Sequence, residues 1–196
     1  MQKTTLLYLH GFNSDGGGFK YDRLRKKFKS SKVLSPDLPA EPNAVIALVD
    51  PLIKQQEGIT YCIGTSLGGF YTYYFAAKYQ TPCFLFNPSL KPHRTLDRGI
   101  GIWETFHKKR PYVFKKEYLE QLRLLKEEAD QKVQSKHLNF FLAEDDDILD
   151  LSGIPNLYPD ANTIEWYADT GHSFIRFPDT FSRMKVVMQQ HQESLF

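Results

Sequence analysis

Residues Tyr61 to Phe70 read Tyr-Cys-Ile-Gly-Thr-Ser-Leu-Gly-Gly-Phe: a short apolar run, a Gly-x-Ser-x-Gly turn, and the start of a second apolar stretch. Few folds accommodate that order. Ile59 to Ile63 is short and β-rich enough for a buried strand, and Leu67 to Tyr79 is apolar nearly all round, which predicts a buried helix. Only a sharp reversal fits between them. Gly64 and Gly68 suit it, because they remove Cβ atoms that would clash where strand and helix pack closely around the turn. A serine at such a strained turn projects its hydroxyl from the strand end, so Ser66 is the candidate nucleophile. The pentapeptide alone is a common pattern; its placement between a strand and a helix gives it weight.

The rest of the chain repeats the alternation. Strands are predicted at Thr5–Leu9, Val33–Ser35, Cys83–Phe86, Leu138–Leu142 and Thr163–Trp166, each a short apolar run closed by glycine, proline, asparagine or aspartate. Helices are predicted over Phe19–Phe28, from an Asn43 cap to about Gln56 with a kink or break at Pro51, over Lys116–Lys132, near Leu149–Leu157, and from Asp179 to about His191. Near-continuously apolar strands separated by helices imply an α/β fold, with about six mostly parallel strands covered on both faces. Right-handed crossovers then bring every loop that follows a strand to one edge, where ligands bind in open α/β sheets. His10, Ser66, Asp146 and His172 all sit on such loops.

At 196 residues the chain suits one domain, and 25 Lys or Arg against 23 Asp or Glu give no overall excess that would argue for nucleic acid or a membrane surface. The N-terminus lacks the long apolar core of a secretory leader, and no run reaches the length of a membrane span, so a cytoplasmic protein is expected. Cys62 and Cys83 are too few for a disulfide framework. Placed at the end of one strand and the start of the next, they are expected too far apart for a bridge, and so free and buried.

A serine hydroxyl needs an adjacent base, and the base an orienting acid. On this architecture the three arrive as serine, then acid, then histidine. Ser66, Asp146 and His172 keep that order. His172 follows Gly171 directly after a strand, whereas His10 precedes the first glycine loop and is expected to hydrogen-bond structurally; His93, His107, His137 and His191 fall in polar or helical stretches and are expected to be solvated. The acid is the open assignment. Asp145, Asp146, Asp147 and Asp150 share one turn, and Asp146 is favoured because Ile148-Leu149 follows it as an apolar anchor. The backbone N–H groups of Phe12 and Leu67 are the expected oxyanion donors. Phe12, Phe19, Phe70 and Phe174 flank these positions and favour an apolar acyl group. A calcium site in the acidic turn is not expected, since no glycine-spaced ligand loop is present, and no cofactor is called for.

From Ser89 to Lys136 the alternation stops. This stretch holds 12 Lys or Arg against 7 Asp or Glu and lies where a lid-like insertion would interrupt the domain. Trp103, Phe106 and Tyr112 are its candidates for closing over a substrate, and its basic excess would suit an anionic leaving group. A solvated helical excursion is the alternative.

Taken together, His10-Gly11-Phe12-Asn13-Ser14, Gly64-Thr65-Ser66-Leu67-Gly68-Gly69-Phe70-Tyr71, Phe86-Asn87-Pro88-Ser89-Leu90-Lys91-Pro92, Asp146-Asp147-Ile148-Leu149-Asp150 and Gly171-His172-Ser173-Phe174 resemble the small bacterial YqiA-type esterases of the α/β-hydrolase superfamily. The resemblance is weakest from Thr95 to Lys136. It implies a reduced α/β-hydrolase sheet, Ser66 as nucleophile, Asp146 as acid, His172 as base, and cofactor-free hydrolysis of acyl esters or thioesters. Where that family has Gly-Asp before the apolar pair of the acid turn, this chain has Asp145-Asp146. Two other classes stand beside this expectation: an α/β-hydrolase-like binding protein without catalysis, which labelling of Ser66 by a fluorophosphonate would disfavour, and a nucleic-acid binder using the basic segment, which would show strongly salt-dependent binding.

Overall fold

In a computed structural model that describes residues 3–195, the alternation of the sequence becomes a six-stranded parallel sheet. In chain order the elements are β1 (Thr4–Leu9), α1 (Gly18–Lys27), β2 (Lys32–Leu34), α2 (Pro42–Lys54), β3 (Ile59–Thr65), α3 (Leu67–Tyr79) and β4 (Cys83–Phe86). Then follow α4 (Pro92–Thr95), β5 (Gly101–Glu104), β6 (Pro111–Phe114), α5 (Glu117–Asp130), β7 (Leu138–Ala143), α6 (Ile154–Leu157), β8 (Thr163–Tyr167) and α7 (Phe181–Glu193). The sheet order is β2-β1-β3-β4-β7-β8. Chain progression reverses between β1 and β3, and at such a switch point the flanking loops diverge and leave a crevice.

Period-two alternation sorts each strand onto two cores. Leu7 and Leu9 of β1 join Cys62, Leu85 and Phe140 beneath α2, α3 and α5, while Leu6 and Tyr8 join Tyr61, Ile63, Phe84, Phe86 and Phe141 beneath α1 and α7. Because both faces are covered, the middles of the central strands are apolar and most polar residues fall at strand ends or on the edge strands β2 and β8. Asn139 on β7 is buried and satisfied, its amide donating to the Cys83 carbonyl and its side-chain oxygen accepting from Asn162.

Four details depart from the sequence expectations. Glu41, not Asn43, stands at the N-cap of α2, because Pro42 occupies the first helical position, where its missing N–H matters least. The helix runs unbroken through Pro51, which sits so near the C-terminal end that only a fraying turn loses a hydrogen bond. Cys62 and Cys83 are indeed free and buried, but the distance argument fails: β4 is slid along β3 so that Ile63 pairs with Phe84, and the same register one step back sets the two cysteines side by side. Burial pushes the Cys62 thiol up to about 12, so both remain unreactive thiols. Finally, the segment between β4 and β7 is not wholly helical. β5 and β6 form an antiparallel hairpin, with Trp103 opposite Tyr112 on the inner face and Ile102 opposite Val113 on the outer.

Candidate active site

Ser66 occupies the reversal between β3 and α3 with φ 55° and ψ −120°, a conformation that side chains rarely adopt. Close packing enforces it. A Cβ on Gly64 would lie 2.1 Å from the Gly68 carbonyl oxygen, and one on Gly68 would lie 2.0 Å from the oxygen of Leu9. The turn is pinned from the neighbouring strand as well, since the Ser66 N–H donates to the Phe86 carbonyl at 3.0 Å and the Ser89 N–H donates to the Ser66 carbonyl at 3.0 Å.

Of the four aspartates in the acidic turn, Asp146 is the one against His172. The ring Nδ1 lies 2.8 Å from Oδ2 and 3.0 Å from Oδ1, and the Asp146 side chain is 2 % exposed. Its Oδ1 also accepts the N–H groups of Ile148 and Leu149, so the residues after the acid fix its orientation. Burial alone would raise the Asp146 pKa, but the bonds from His172, Leu149 and Ile148 outweigh it and hold the carboxyl below its ordinary value. Donation from Nδ1–H to this carboxylate leaves Nε2 of His172 as the acceptor. Asp145 turns elsewhere, accepting the N–H groups of Gly171 at 2.9 Å and Thr170 at 3.2 Å. Asp147 is exposed, and Asp150 holds its own Ser152.

Sequence reasoning missed the residue that joins these pieces. Asn87, fully buried just after β4, donates its amide to the carbonyls of Gly171 and His172, both at 3.0 Å, and accepts the Ala143 N–H at 2.8 Å. It thereby ties the loop after β8 to the end of β7. In the sequence Asn87-Pro88 reads as a strand stop inside one of the segments that carry the resemblance, with no role for the Asn87 side chain. Lys20 was missed too; its ammonium donates to the Ser173 carbonyl, and burial lowers its pKa to about 8.

His10 takes the structural role expected of it. The Leu38 N–H donates to Nε2 at 3.0 Å, so Nδ1 carries the proton and donates to the Gly11 carbonyl at 2.9 Å. Burial lowers its pKa and keeps it neutral. The other histidines differ from expectation: only His107 is exposed, while His93, His137 and His191 are half-buried and the Tyr61 hydroxyl meets Nδ1 of His191. Among the described residues neither the Phe12 nor the Leu67 N–H has a hydrogen-bond partner, and Ser66 Oγ makes none in this conformation.

Ser66, Leu67, Phe12 and His172 line one cavity of ≈ 720 Å³, the outer cavity. Of the four flanking phenylalanines, Phe12 and Phe19 border it, whereas Phe70 and Phe174 are buried in the two cores. Trp103, Phe106 and His107 close its far side from the hairpin. Edge-to-face packing of Phe12 on Trp103, Tyr112 and Phe114 holds the hairpin there, together with Asp15, whose buried carboxylate accepts the N–H groups of His107 and Lys108 and the guanidinium of Arg110. Lys108 and Arg110 reach Asp37 as well. Among the described residues no group of three or more His, Cys, Asp or Glu is arranged to hold a metal ion, and no helix is long and apolar enough to cross a membrane.

A parallel sheet with this strand order, a serine at a strained strand-to-helix turn and an aspartate–histidine pair on later loops defines an α/β hydrolase fold. More particularly, the chain belongs to the group described as Uncharacterised protein family (UPF0227), the YqiA family of the resemblance, whose model matches residues 5–189. Its fold is shared by Est1E from Butyrivibrio proteoclasticus, at 12% identity and a TM-score of 0.67 over 99% of this chain and 89% of that one. The Paleococcus ferrophilus monoacylglycerol lipase gives 12% and 0.67 over 93% and 92%. The esterase domain of a Rhodothermus marinus protein gives 20% and 0.65 over 91% and 82%.

Proposed function

We propose that this protein is a serine hydrolase that cleaves acyl esters or thioesters through an acyl-enzyme, with Ser66 as nucleophile, His172 as base and Asp146 as acid. The observation that carries the reading is the Asp146–His172 contact in the same cavity wall as the strained Ser66 turn. Nε2 of His172 takes the Ser66 proton as Oγ attacks the acyl carbon, and Asp146 stabilises the imidazolium that forms. The tetrahedral oxyanion accepts the free N–H groups of Phe12 and Leu67, each worth roughly 3 kcal/mol toward the transition state. His172 returns its proton to the departing oxygen or sulfur, the acyl group stays on Ser66, and water activated by the same base releases it as the carboxylic acid. All of this needs only the residues named and water. The fold shared with an esterase domain and a monoacylglycerol lipase supports the chemical class, and the apolar walls contributed by Phe12, Phe19, Trp103 and Phe106 support an acyl substrate rather than a sugar.

Ser66→Ala is expected to reduce turnover of a chromogenic short-chain ester by at least about a thousandfold with an unchanged melting temperature. Fluorophosphonate labelling should vanish with it. Wild-type turnover in that variant would overturn the assignment.

A further inference from the structure

Behind Phe12 lies a second, smaller cavity of ≈ 200 Å³, which shares Gly11, Phe12, Asn13, Ser14 and Leu67 with the outer one. Its other walls are largely apolar, from Leu38, Pro39 and Ala40 after β2 and from Tyr112 and Phe114 of the hairpin. One group breaks that pattern. Tyr71 of α3 is 1 % exposed, borders this cavity, and its hydroxyl has no hydrogen-bond partner among the described residues. The other tyrosines buried as deeply are both satisfied: Tyr61 meets Met188 and His191, and Tyr73 meets Asp130 and Tyr158. Most other polar groups of the inner cavity are committed already, Ser14 on the side shared with the outer cavity excepted. Both ring nitrogens of His10 are engaged, Asn13 Oδ1 accepts the Tyr112 hydroxyl, and Arg110 is held by Asp15.

A phenol that meets only the cavity and has no protein partner takes its hydrogen bond from whatever fills that cavity, water or a substrate oxygen, since polar groups inside folded proteins almost always find a partner. The missing partner can arrive only from the cavity. Which part of a substrate would bring it follows from the chemistry of the outer cavity. His172 must protonate the leaving group, so the leaving group lies on the His172 side. The inner cavity touches Phe12 and Leu67 but neither Ser66 nor His172, which places it on the acyl side of the reacting carbon.

We propose that the inner cavity is an acyl subsite and that Tyr71 is its specificity-determining residue, selecting acyl groups that carry a hydroxyl or carbonyl oxygen toward their far end. The inference rests on the esterase reading above. Its size fits a compact group, since a dry cavity of about 150 Å³ accommodates a benzene ring.

The test uses two 4-nitrophenyl esters, of 3-phenylpropionate and of 3-(4-hydroxyphenyl)propionate. The wild type is expected to favour the hydroxylated ester by roughly three- to tenfold in kcat/KM, the span of one neutral hydrogen bond. In Tyr71→Phe that ratio should fall to about one. Its melting temperature should hold or rise, because the hydroxyl serves no fold contact. Ala40→Phe, which fills the cavity from an accessible loop, should also abolish the preference and provides the reading if Tyr71→Phe folds poorly. Equal ratios in wild type and variants, with both esters hydrolysed, overturn the subsite and leave the esterase reading intact. Should neither ester turn over, calorimetric binding of the two free acids decides: tighter binding of the hydroxylated acid that depends on Tyr71 preserves the subsite and sinks the esterase reading, while no such difference sinks the subsite too.

Discussion

Across the outer cavity the Ser66 turn faces the β5–β6 hairpin, and the two walls are held in place by different physics. The turn is fixed by exclusion: glycines at 64 and 68 admit backbone where any side chain would collide, and the strands on either side supply its hydrogen bonds. The hairpin is fixed by attraction, through one aromatic cluster at Phe12 and one buried carboxylate at Asp15. Steric exclusion tolerates no partial loss. Attraction can be weakened by degrees, so the hairpin is the wall that pH, salt and substitution are able to tune.

The largest effect should come from forcing a side chain into the turn. Gly68→Ala places a methyl 2.0 Å from the Leu9 oxygen and 2.5 Å from that of His10, and both are backbone atoms that cannot swing aside. A loss of about 5 kcal/mol is expected, read as insoluble protein or a melting temperature lower by roughly 10 to 20 °C. A soluble, active variant would show the packing at the turn to be slack.

A smaller effect is expected on the opposite wall. Asp15→Ala removes the acceptor for two backbone N–H groups and a guanidinium, but the hairpin can lift and hydrate them, so the loss should stay near 2 kcal/mol, a fall of about 4 to 8 °C. Trp103, half-buried edge-on to Phe12, should move its emission to the red, and KM should rise more than kcat falls. An unchanged spectrum would mean that the aromatic cluster, the Asp37 ion pairs and the Phe106 N–H bond to Asn13 hold the hairpin without Asp15.

Acid should do the same reversibly and more weakly. Burial would raise the Asp15 pKa, yet the bonds from Lys108, Arg110, Thr105 and His107 outweigh it and hold the carboxyl well below the usual range. A depressed folded pKa gives stability that is fully present above the unfolded value of about 3.9 and is lost as pH falls through the folded one. The Trp103 emission of the wild type should therefore shift only well below about pH 4, and in Asp15→Ala, where only the Asp37 ion pairs still titrate on the hairpin, the acid-induced shift should be smaller.

The same contrast divides what the sequence reveals from what it hides. The six sheet strands were legible because parallel strands covered on both faces need short, mainly apolar runs, and Ser66 because its glycines have a steric purpose that the neighbours of a loop serine lack. The hairpin was not. Gly-Ile-Trp-Glu and Pro-Tyr-Val-Phe are only four residues each, half their side chains face solvent, and they are strands only because Phe12 gives Trp103, Tyr112 and Phe114 something to pack on. Asp145 and Asp146 show the limit on the site itself. Composition cannot separate adjacent aspartates; their separate partners, a loop backbone for one and an imidazole for the other, exist only after β7 and β8 pair.

Asn87 also bears on the order of events during synthesis. Its side chain bonds residues 56, 84 and 85 positions further along the chain. A ribosome delivers the N-terminal part first, at about 5 to 20 residues per second, so the segment ending at Asn87 emerges seconds before His172 exists. Through that interval a buried asparagine and an open sheet edge at β4 await partners, and the nascent chain is at its most exposed to mispairing. Closure therefore comes in two steps: β7 covers the β4 edge and brings the Ala143 N–H to Asn87, and the loop after β8 then brings Gly171 and His172 and completes the site.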